Sequence, residues 1–263
     1  RLIDQIAQVN AGSLLVITGG EPLVRPDILD ISRHAVEQRF MVVFGTNGML
    51  IDDKIAKEMV NIGVMGVGIS IDSLDSAKHN AFRGLPGAWE GALAGIEACK
   101  RNGLQFQVHF SAQPMNYQEL PGVIDWAHDL GAKVLNVFFM VCTGRGEELT
   151  DITPEQYEEV LSYLVESQDK YQDMLVRARC APHFKRLAYE KDPNSPITKA
   201  QGYMGGGCLA GTNYARVTPN GDLTPCPYMP LSAGNIRENS FVDLWEHSEI
   251  FNSFRYPHLK GKC

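Results

Sequence analysis

A pair of glycines and a glutamate follow the first short apolar stretch of the chain. Leu14 to Ile17 is apolar throughout, and Thr18-Gly19-Gly20-Glu21-Pro22 comes directly after it. Glycines at the end of a buried strand let a ligand approach the backbone closely, and a carboxylate accepts hydrogen bonds from an ammonium group. The segment is compatible with an amine-binding site. A strand-to-helix turn with a surface glutamate would use the same residues.

Polar or glycine-rich segments also follow each of the next four predicted strands. The strands are predicted at Phe40 to Phe44, Val64 to Ile71, Phe106 to Phe110 and Val134 to Val141. The segments comprise Thr46 to Gly48, Ser70 with Asp72, Ser111 to Asn116 and Thr143 to Gly146. Since helical patterns separate the strands, we predict an α/β fold with a parallel sheet and right-handed crossovers. Ligands of such folds bind at the carboxyl ends of the strands.

Together these segments resemble the radical S-adenosylmethionine (radical SAM) superfamily, over roughly Leu14 to Gly146. Thr18 to Pro22 resembles the family's Gly-Gly-Glu-Pro motif, and Gly45 to Gly48 its Thr-Asn-Gly motif. Ser70-Ile71-Asp72, with His79 and Phe82 to Gly84, resembles its Ser-Ile-Asp…His…Phe-Arg-Gly stretch. The resemblance implies a partial (β/α)6 TIM-like barrel. It also implies an enzyme that reductively cleaves S-adenosylmethionine at a [4Fe–4S] cluster to give a 5′-deoxyadenosyl radical.

The same resemblance implies which residues bind S-adenosylmethionine. They are Gly19, Gly20, Glu21, Thr46, Asn47, Ser70, Asp72 and Arg83. Glu21 and the backbone beside it would hold the cofactor's amino group. Ser70 and Asp72 would face its carboxylate and ribose, with Arg83 nearby.

The family's catalytic cluster is bound by a Cys-x3-Cys-x2-Cys run upstream of Gly-Gly-Glu-Pro, and this sequence contains no such spacing. The sequence begins at Arg1 and not at Met. We therefore interpret the first barrel strand and the cluster loop as lying upstream, with Leu2 to Asn10 as the helix that follows that loop. No catalytic residue is assigned. The alternative is a relative that has lost its cluster.

Cys208 and Cys226 flank a predicted β-hairpin whose turn contains Asn220-Gly221. The spacing Cys-x12-Gly-x4-Cys resembles the opening of the SPASM domain, which carries one or two auxiliary [4Fe–4S] clusters. Thiolates are the usual ligands of such clusters. The resemblance implies ligand roles for Cys208, Cys226 and Cys263. A disulfide between Cys208 and Cys226, or two buried thiols, is the alternative.

We place a module boundary near residue 175. Residues 1–175 would form the barrel, without its first strand and cluster loop. Residues 176–263 would form a SPASM-like region, cut short at its C-terminus, with a hairpin and two helices near Phe241 to His247 and Ile250 to Tyr256. Cys99 and Cys142 lie in apolar surroundings and are predicted to be structural.

A basic segment follows this boundary. Arg177-Ala-Arg-Cys-Ala-Pro-His183 precedes Lys185 and Arg186, and with Thr224 to Pro230 it resembles the tetrapyrrole-modifying branch of the family. That branch implies that Arg177, Arg179, Lys185 and Arg186 bind the carboxylates of a polycarboxylate macrocycle, with His183 also at the substrate. It further implies that Cys180 or His183 approaches an auxiliary cluster or the substrate iron. A solvated basic turn is the alternative.

The implied function is decarboxylation or removal of side chains of an iron porphyrinoid, an iron tetrapyrrole, in haem or haem d1 biosynthesis. The expected electron donor is a ferredoxin or flavodoxin. A SPASM peptide maturase, which oxidises or cross-links a peptide, is one alternative. A non-catalytic binding protein without a cluster is another.

Charge and hydropathy exclude other classes of protein. The formal net charge is −7, from 24 basic and 31 acidic residues, whereas a nucleic-acid-binding protein normally has a basic excess or a basic face. No apolar run is long enough to span a membrane, and no segment of the given sequence resembles a signal peptide. We therefore expect a cytoplasmic protein that acts on a small molecule.

Overall fold

The computed structural model describes residues 1–141, 143, 151–195, 198–199 and 208–256. It divides into two compact units. The barrel unit comprises Leu14–Val36 and Met41–Gly205. The hairpin unit comprises Arg1–Ser13, Glu37–Phe40 and Gly206–Cys263.

Six parallel strands form the sheet of the barrel unit, and they are neighbours in chain order. The strands are β1 (Leu14–Ile17), β2 (Met41–Thr46), β3 (Gly66–Ser70), β4 (Phe106–Ala112), β5 (Val134–Phe139) and β6 (Leu175–Arg179). This order confirms the predicted partial (β/α)6 barrel. It also brings the carboxyl ends of all six strands to one edge.

Helices connect these strands. They are α2 (Ile28–Glu37), α3 (Asp53–Ile62), α4 (Ser76–Arg83), α5 (Ala88–Asn102), α6 (Leu120–Asp129), α7 (Pro154–Lys170) and α8 (Phe184–Lys191), with short 3-10 turns at Pro22–Val24 and Tyr117–Glu119. Their ends follow local chemistry. Asp52 caps α3 by accepting a hydrogen bond from the Ile55 N–H, and Thr153 and Gln156 form a capping box on α7.

Alternation along β4 separates the two faces of the sheet. Val108 and Phe110 are fully buried, whereas Gln107 and His109, which alternate with them along the strand, are partly exposed. On β5, Phe139 stacks on Tyr157 of α7, so the buried set faces the helices. We call the opposite face, which carries Gln107 and His109, the inner face.

The strand β6 was not predicted. The sequence Leu-Val-Arg-Ala-Arg lacks an apolar run, and we interpreted it as an interruption of the pattern. In the structure it pairs with β5, with Val134 opposite Leu175 and Asn136 opposite Arg177. Val176 is buried against the helices, so period-2 alternation places Arg177 and Arg179 on the inner face.

The hairpin unit has a small core of its own. Strands β7 (Arg216–Val217) and β8 (Leu223–Thr224) form the predicted antiparallel hairpin, and helices α9 (Phe241–His247) and α10 (Glu249–Arg255) follow. Helix α1 (Leu2–Asn10) also belongs here. Its apolar residues Leu2, Ile6 and Val9 pack on the core of Leu223, Phe241, Leu244 and Phe251.

The observed division therefore differs from a boundary near residue 175 in three places. Strand β6 and helix α8 lie in the barrel unit, and α1 and the segment Glu37–Phe40 lie in the hairpin unit. The Gln5 side chain accepts a 2.9 Å hydrogen bond from the Phe241 N–H at the start of α9. An amphipathic pattern shows that a helix has an apolar face, but it does not identify the partner of that face. No helix among the described residues is long and apolar enough to cross a bilayer.

Candidate functional site

The carboxylate of Glu21 links the ends of β1 and β2. Its Oε1 accepts hydrogen bonds from the Thr46 hydroxyl at 2.7 Å and the Leu23 N–H at 3.2 Å, and its Oε2 accepts one from the Asn47 N–H at 2.8 Å. A carboxylate has about four acceptor positions. Three are used inside the protein, which leaves room for one further donor such as an ammonium group.

The backbone beside Glu21 is open. A Cβ atom added to Gly19 or to Gly20 would meet nothing within 4 Å. Gly19 has φ = +152°, a backbone conformation that residues other than glycine rarely adopt. A ligand can therefore lie directly against this stretch of backbone.

The turn after β2 is fixed by its own side chains. Thr46 Oγ1 accepts a hydrogen bond from the Gly48 N–H at 3.0 Å, and Asn47 Oδ1 accepts one from the Met49 N–H at 2.9 Å. The backbone of Gly48 lies so close to Gly95 of α5 that a Cβ at Gly95 would collide with the Gly48 carbonyl oxygen. This packing holds Thr46 and Asn47 beside Glu21.

Asp72 is completely buried after β3 and forms an ion pair with Arg83, with 2.5 Å between Oδ2 and a terminal guanidinium nitrogen. Asp72 Oδ1 accepts a hydrogen bond from the Ser111 N–H at 3.0 Å. The ion pair does not have hydrogen-bond geometry, and among the described residues buried Asp72 Oδ2 and Arg83 Nε have no hydrogen-bond partner. Ser70, on the preceding strand, is partly exposed.

Asn116 holds this part of the site together, although the sequence analysis assigned it no role. Its side-chain amide donates hydrogen bonds to the Asp72 carbonyl at 2.8 Å and the Ser111 carbonyl at 2.9 Å. Its Oδ1 accepts one from the Gln113 N–H at 2.8 Å. The sequence contained one indication of this residue, since an asparagine lies in the polar segment that follows β4.

His79 lies beneath the same loop. Its Nδ1 accepts a hydrogen bond from the Asp72 N–H at 3.1 Å, so Nε2 carries the proton in the neutral ring. Burial lowers the pKa of His79, and the nearby Asp72 carboxylate opposes this effect. A neutral His79 therefore positions the backbone of Asp72.

Two arginines of β6 lie on the inner face, and no described residue gives either of them an acidic partner. Arg179 Nε donates a 2.8 Å hydrogen bond to Asn136 Oδ1 of β5. Although Arg179 keeps solvent access, the protein around it lowers the pKa of its guanidinium, and repulsion from Arg177 adds to this effect. Burial also lowers the pKa of Arg177. Neither guanidinium pairs with a carboxylate among the described residues.

His109 of β4 lies between these arginines and Arg83. A Cβ at Gly68 of β3 would overlap the His109 ring, so the ring lies flat against Gly68. The ring also makes an edge contact with Phe138, with 5.3 Å between centroids. Burial lowers the pKa of His109 to about 4, and the charges of Arg179 and Arg83 contribute. No motif or spacing in the sequence indicated a role for His109.

The other residues of the basic segment differ from one another in exposure and in their partners. Cys180 is exposed and has φ = +61°. The rings of His183 and Tyr157 are neighbours, with 5.6 Å between their centroids. Arg186 forms ion pairs with Glu158 and, at 2.9 Å, with Glu190. The charge of Arg186 is therefore compensated on the surface, unlike that of Arg177 and Arg179.

The cysteines fall into two groups. Cys99 is fully buried, and burial raises its thiol pKa to about 12, as expected for a structural residue. Cys208 and Cys226 are free thiols. The Ala210 N–H donates to Cys208 Sγ and the Tyr228 N–H to Cys226 Sγ, each at 3.5 Å. Cys142 and Cys263 lie outside the described residues.

The open glycine backbone and the Arg83 guanidinium, whose Nε has no hydrogen-bond partner among the described residues, fit an amino-acid cofactor that carries ammonium, carboxylate and hydroxyl groups. The two free thiols with N–H donors fit ligands of an iron–sulfur cluster. Within the described part of the chain, no group of three or more His, Cys, Asp or Glu side chains is arranged to hold a metal ion.

Comparison with known proteins agrees with these features. The family model of the radical SAM superfamily matches residues 1–127, and that of SPASM, an iron–sulfur cluster-binding domain, matches residues 208–263. An AdoMet-dependent heme synthase of Methanosarcina barkeri is 39% identical, over 99% of this chain and 76% of the relative. An AdoMet-dependent heme synthase of Oleidesulfovibrio alaskensis is 34% identical, over 100% of this chain and 69% of the relative.

Among solved structures, Streptococcus suis SuiB superposes with a TM-score of 0.76 at 14% identity, over 97% of this chain and 61% of the SuiB chain. This likeness concerns the fold alone, and the chain spans about three fifths of the length of SuiB. The two sequence relatives exceed 30% identity over nearly the whole chain. The chain therefore belongs to the radical SAM superfamily of enzymes, which uses S-adenosylmethionine and iron–sulfur clusters, and it carries a SPASM domain.

Proposed function

We propose that this protein removes or decarboxylates side chains of an iron porphyrinoid, as in haem or haem d1 biosynthesis. The observation that supports this substrate is the pair Arg177 and Arg179, two cations on the inner face without a carboxylate partner among the described residues. Carboxylate arms of a tetrapyrrole would supply the missing charge through charge-assisted hydrogen bonds.

S-adenosylmethionine, held by the residues named below, would supply radical chemistry for hydrogen-atom abstraction from the substrate. The protein's own residues bind and orient the reactants. In this proposal, Glu21 and the backbone of Gly19 and Gly20 hold the amino group of S-adenosylmethionine. Arg83 and Ser70 would face its polar ribose and carboxylate region, and the buried Asp72 would hold Arg83 in place.

The names of the sequence relatives support the same substrate class, since the two reported above are heme synthases and the peptide maturases among the relatives are more distant. A binding protein without a cluster is disfavoured because the cofactor-side motifs are retained together.

Three parts of the proposal concern the surroundings of the site. Cys208 and Cys226, with Cys263, would hold an auxiliary cluster, and Cys180 or His183 would approach the substrate iron. A ferredoxin or flavodoxin would supply electrons. The protein would act in the cytoplasm.

An anaerobic assay tests this function. Protein with reconstituted clusters is incubated with a reductant, S-adenosylmethionine and iron coproporphyrin III, and we expect 5′-deoxyadenosine together with a porphyrin of lower mass. Arg177→Gln should lower porphyrin turnover at least tenfold, whereas the control Arg186→Gln should not. Loaded clusters with no altered porphyrin would contradict the proposed substrate.

A further inference from the structure

We propose that Asn136 is a positioning residue that orients Arg179, so that Arg179 and Arg177 together bind two carboxylates of one substrate. The inference rests on the proposed function and names the groups of the substrate that this part of the site recognises. It concerns the interior of the barrel unit alone.

Three side chains form a hydrogen-bonded row across the inner face. Gln107 Oε1 accepts a 2.8 Å hydrogen bond from Asn136 Nδ2, and Asn136 Oδ1 accepts one of 2.8 Å from Arg179 Nε. Asn136 is only 2% exposed, so its amide orientation is set by the protein. Because Nε is already bound, the two terminal nitrogens of Arg179 remain available, and these can bind a carboxylate side by side.

The amide also leaves the charge of Arg179 uncompensated. Asn136 is a neutral acceptor, and a carboxylate at the same position would form an internal ion pair with Arg179. Burial, Arg177 and Cys180 shift the pKa of Arg179. No Asp or Glu contributes to the shift. An amide at position 136 therefore positions the guanidinium while keeping it attractive to an anion.

The spacing of the two arginines suits a substrate with more than one carboxylate. Arg177 and Arg179 alternate with Ala178 on one strand, so their Cα atoms lie about 7 Å apart on the same face. Two guanidiniums at this distance repel each other. A ring with acidic arms on neighbouring positions would relieve that repulsion, whereas a single carboxylate would leave one cation unpaired.

Substrate binding without turnover tests this inference. Iron coproporphyrin III and its neutral tetra-amide are titrated into cluster-loaded protein in the absence of reductant, followed by porphyrin absorbance. The wild-type protein should bind the acid more tightly than the amide. Asn136→Leu removes the acceptor of Arg179 Nε without adding a charge. It should weaken binding of the acid about tenfold to a hundredfold, which corresponds to one charge-assisted contact, and should leave amide binding unchanged.

The comparison of the two ligands separates positioning from a general structural effect. Equal weakening of acid and amide, or no weakening of either, would overturn the role of Asn136. A wild-type protein that binds neither ligand would contradict the proposed function itself. If Asn136→Leu does not fold, Asn136→Thr tests the same contact, because its hydroxyl is a neutral acceptor of shorter reach. We expect a smaller loss with Asn136→Thr, again confined to the acid.

Discussion

Glu21 at the end of β1 accepts a 2.7 Å hydrogen bond from the hydroxyl of Thr46 at the end of β2. The carboxylate that the motif predicts as a cofactor ligand therefore also links two neighbouring strands. Its other oxygen accepts the Asn47 N–H. Cofactor binding and the geometry of the strand ends consequently depend on the same side chain.

Replacement of Glu21 by Gln should weaken both properties. The amide nitrogen of Gln cannot accept a hydrogen bond, so either Thr46 or the Asn47 N–H loses its partner. We expect a loss of about 1–2 kcal/mol in the free energy of unfolding and at least tenfold weaker S-adenosylmethionine binding, measured by urea denaturation and calorimetric titration. Thr46→Ser keeps the hydroxyl and serves as the control. Unchanged cofactor affinity in Glu21→Gln would contradict the assignment.

Asp72→Asn tests the buried ion pair with Arg83. Asp72 is fully buried, and removal of its charge leaves the Arg83 guanidinium, whose side chain is 30% exposed, without its partner. Breaking a buried pair from one side costs about 3 kcal/mol, and thermal and urea denaturation would measure it. Asp53→Asn removes the exposed partner of Arg101 and should change stability little. Similar losses of folding stability in both variants would show that the buried Asp72–Arg83 pair stabilises the fold no more than an exposed pair does.

The sequence predicted the strand ends at Glu21 and Asp72 better than it predicted the residues of the inner face. Residues near Glu21 and Asp72 lie directly after apolar strands, so their position follows from the order of the strands. Strand β6 was missed because arginines on its inner face remove the apolar run by which strands are recognised. Asn136 and His109 were missed because each is one polar residue within an apolar strand, and only the register of the sheet shows that they face the same interior.

Gly68 and His109 offer a test of that interior. A methyl group at position 68 would overlap the His109 ring, and overpacking of this kind costs about 1–3 kcal/mol. We expect Gly68→Ala to destabilise the protein in the wild-type background and to be nearly neutral in the His109→Ala background. Gly20→Ala, where a Cβ meets nothing within 4 Å, is the stability control. Additive losses in the Gly68→Ala/His109→Ala double variant would mean that the ring does not lie over Gly68.

The lowered pKa of His109 should appear in the pH dependence of stability. The folded-state pKa is about 4, against 6.5 for an unperturbed histidine, so between these values the unfolded chain binds more protons than the folded one. The free energy of unfolding should therefore decrease as the pH falls from about 6.5 towards 4, and this contribution is fully present above 6.5.

Urea denaturation between pH 7 and pH 4.5 would measure that slope in the wild type and in His109→Phe, which keeps a ring over Gly68 but cannot bind a proton. The slope should be smaller in the variant. It should not vanish, because burial lowers the pKa of His79 as well and its effect has the same sign. An identical slope in both proteins would show that His109 binds protons as easily in the folded barrel as in the unfolded chain. In that case His109 would be charged beside Arg179 under mildly acidic conditions, and a third cation would strengthen the attraction of the inner face for carboxylates as the pH falls.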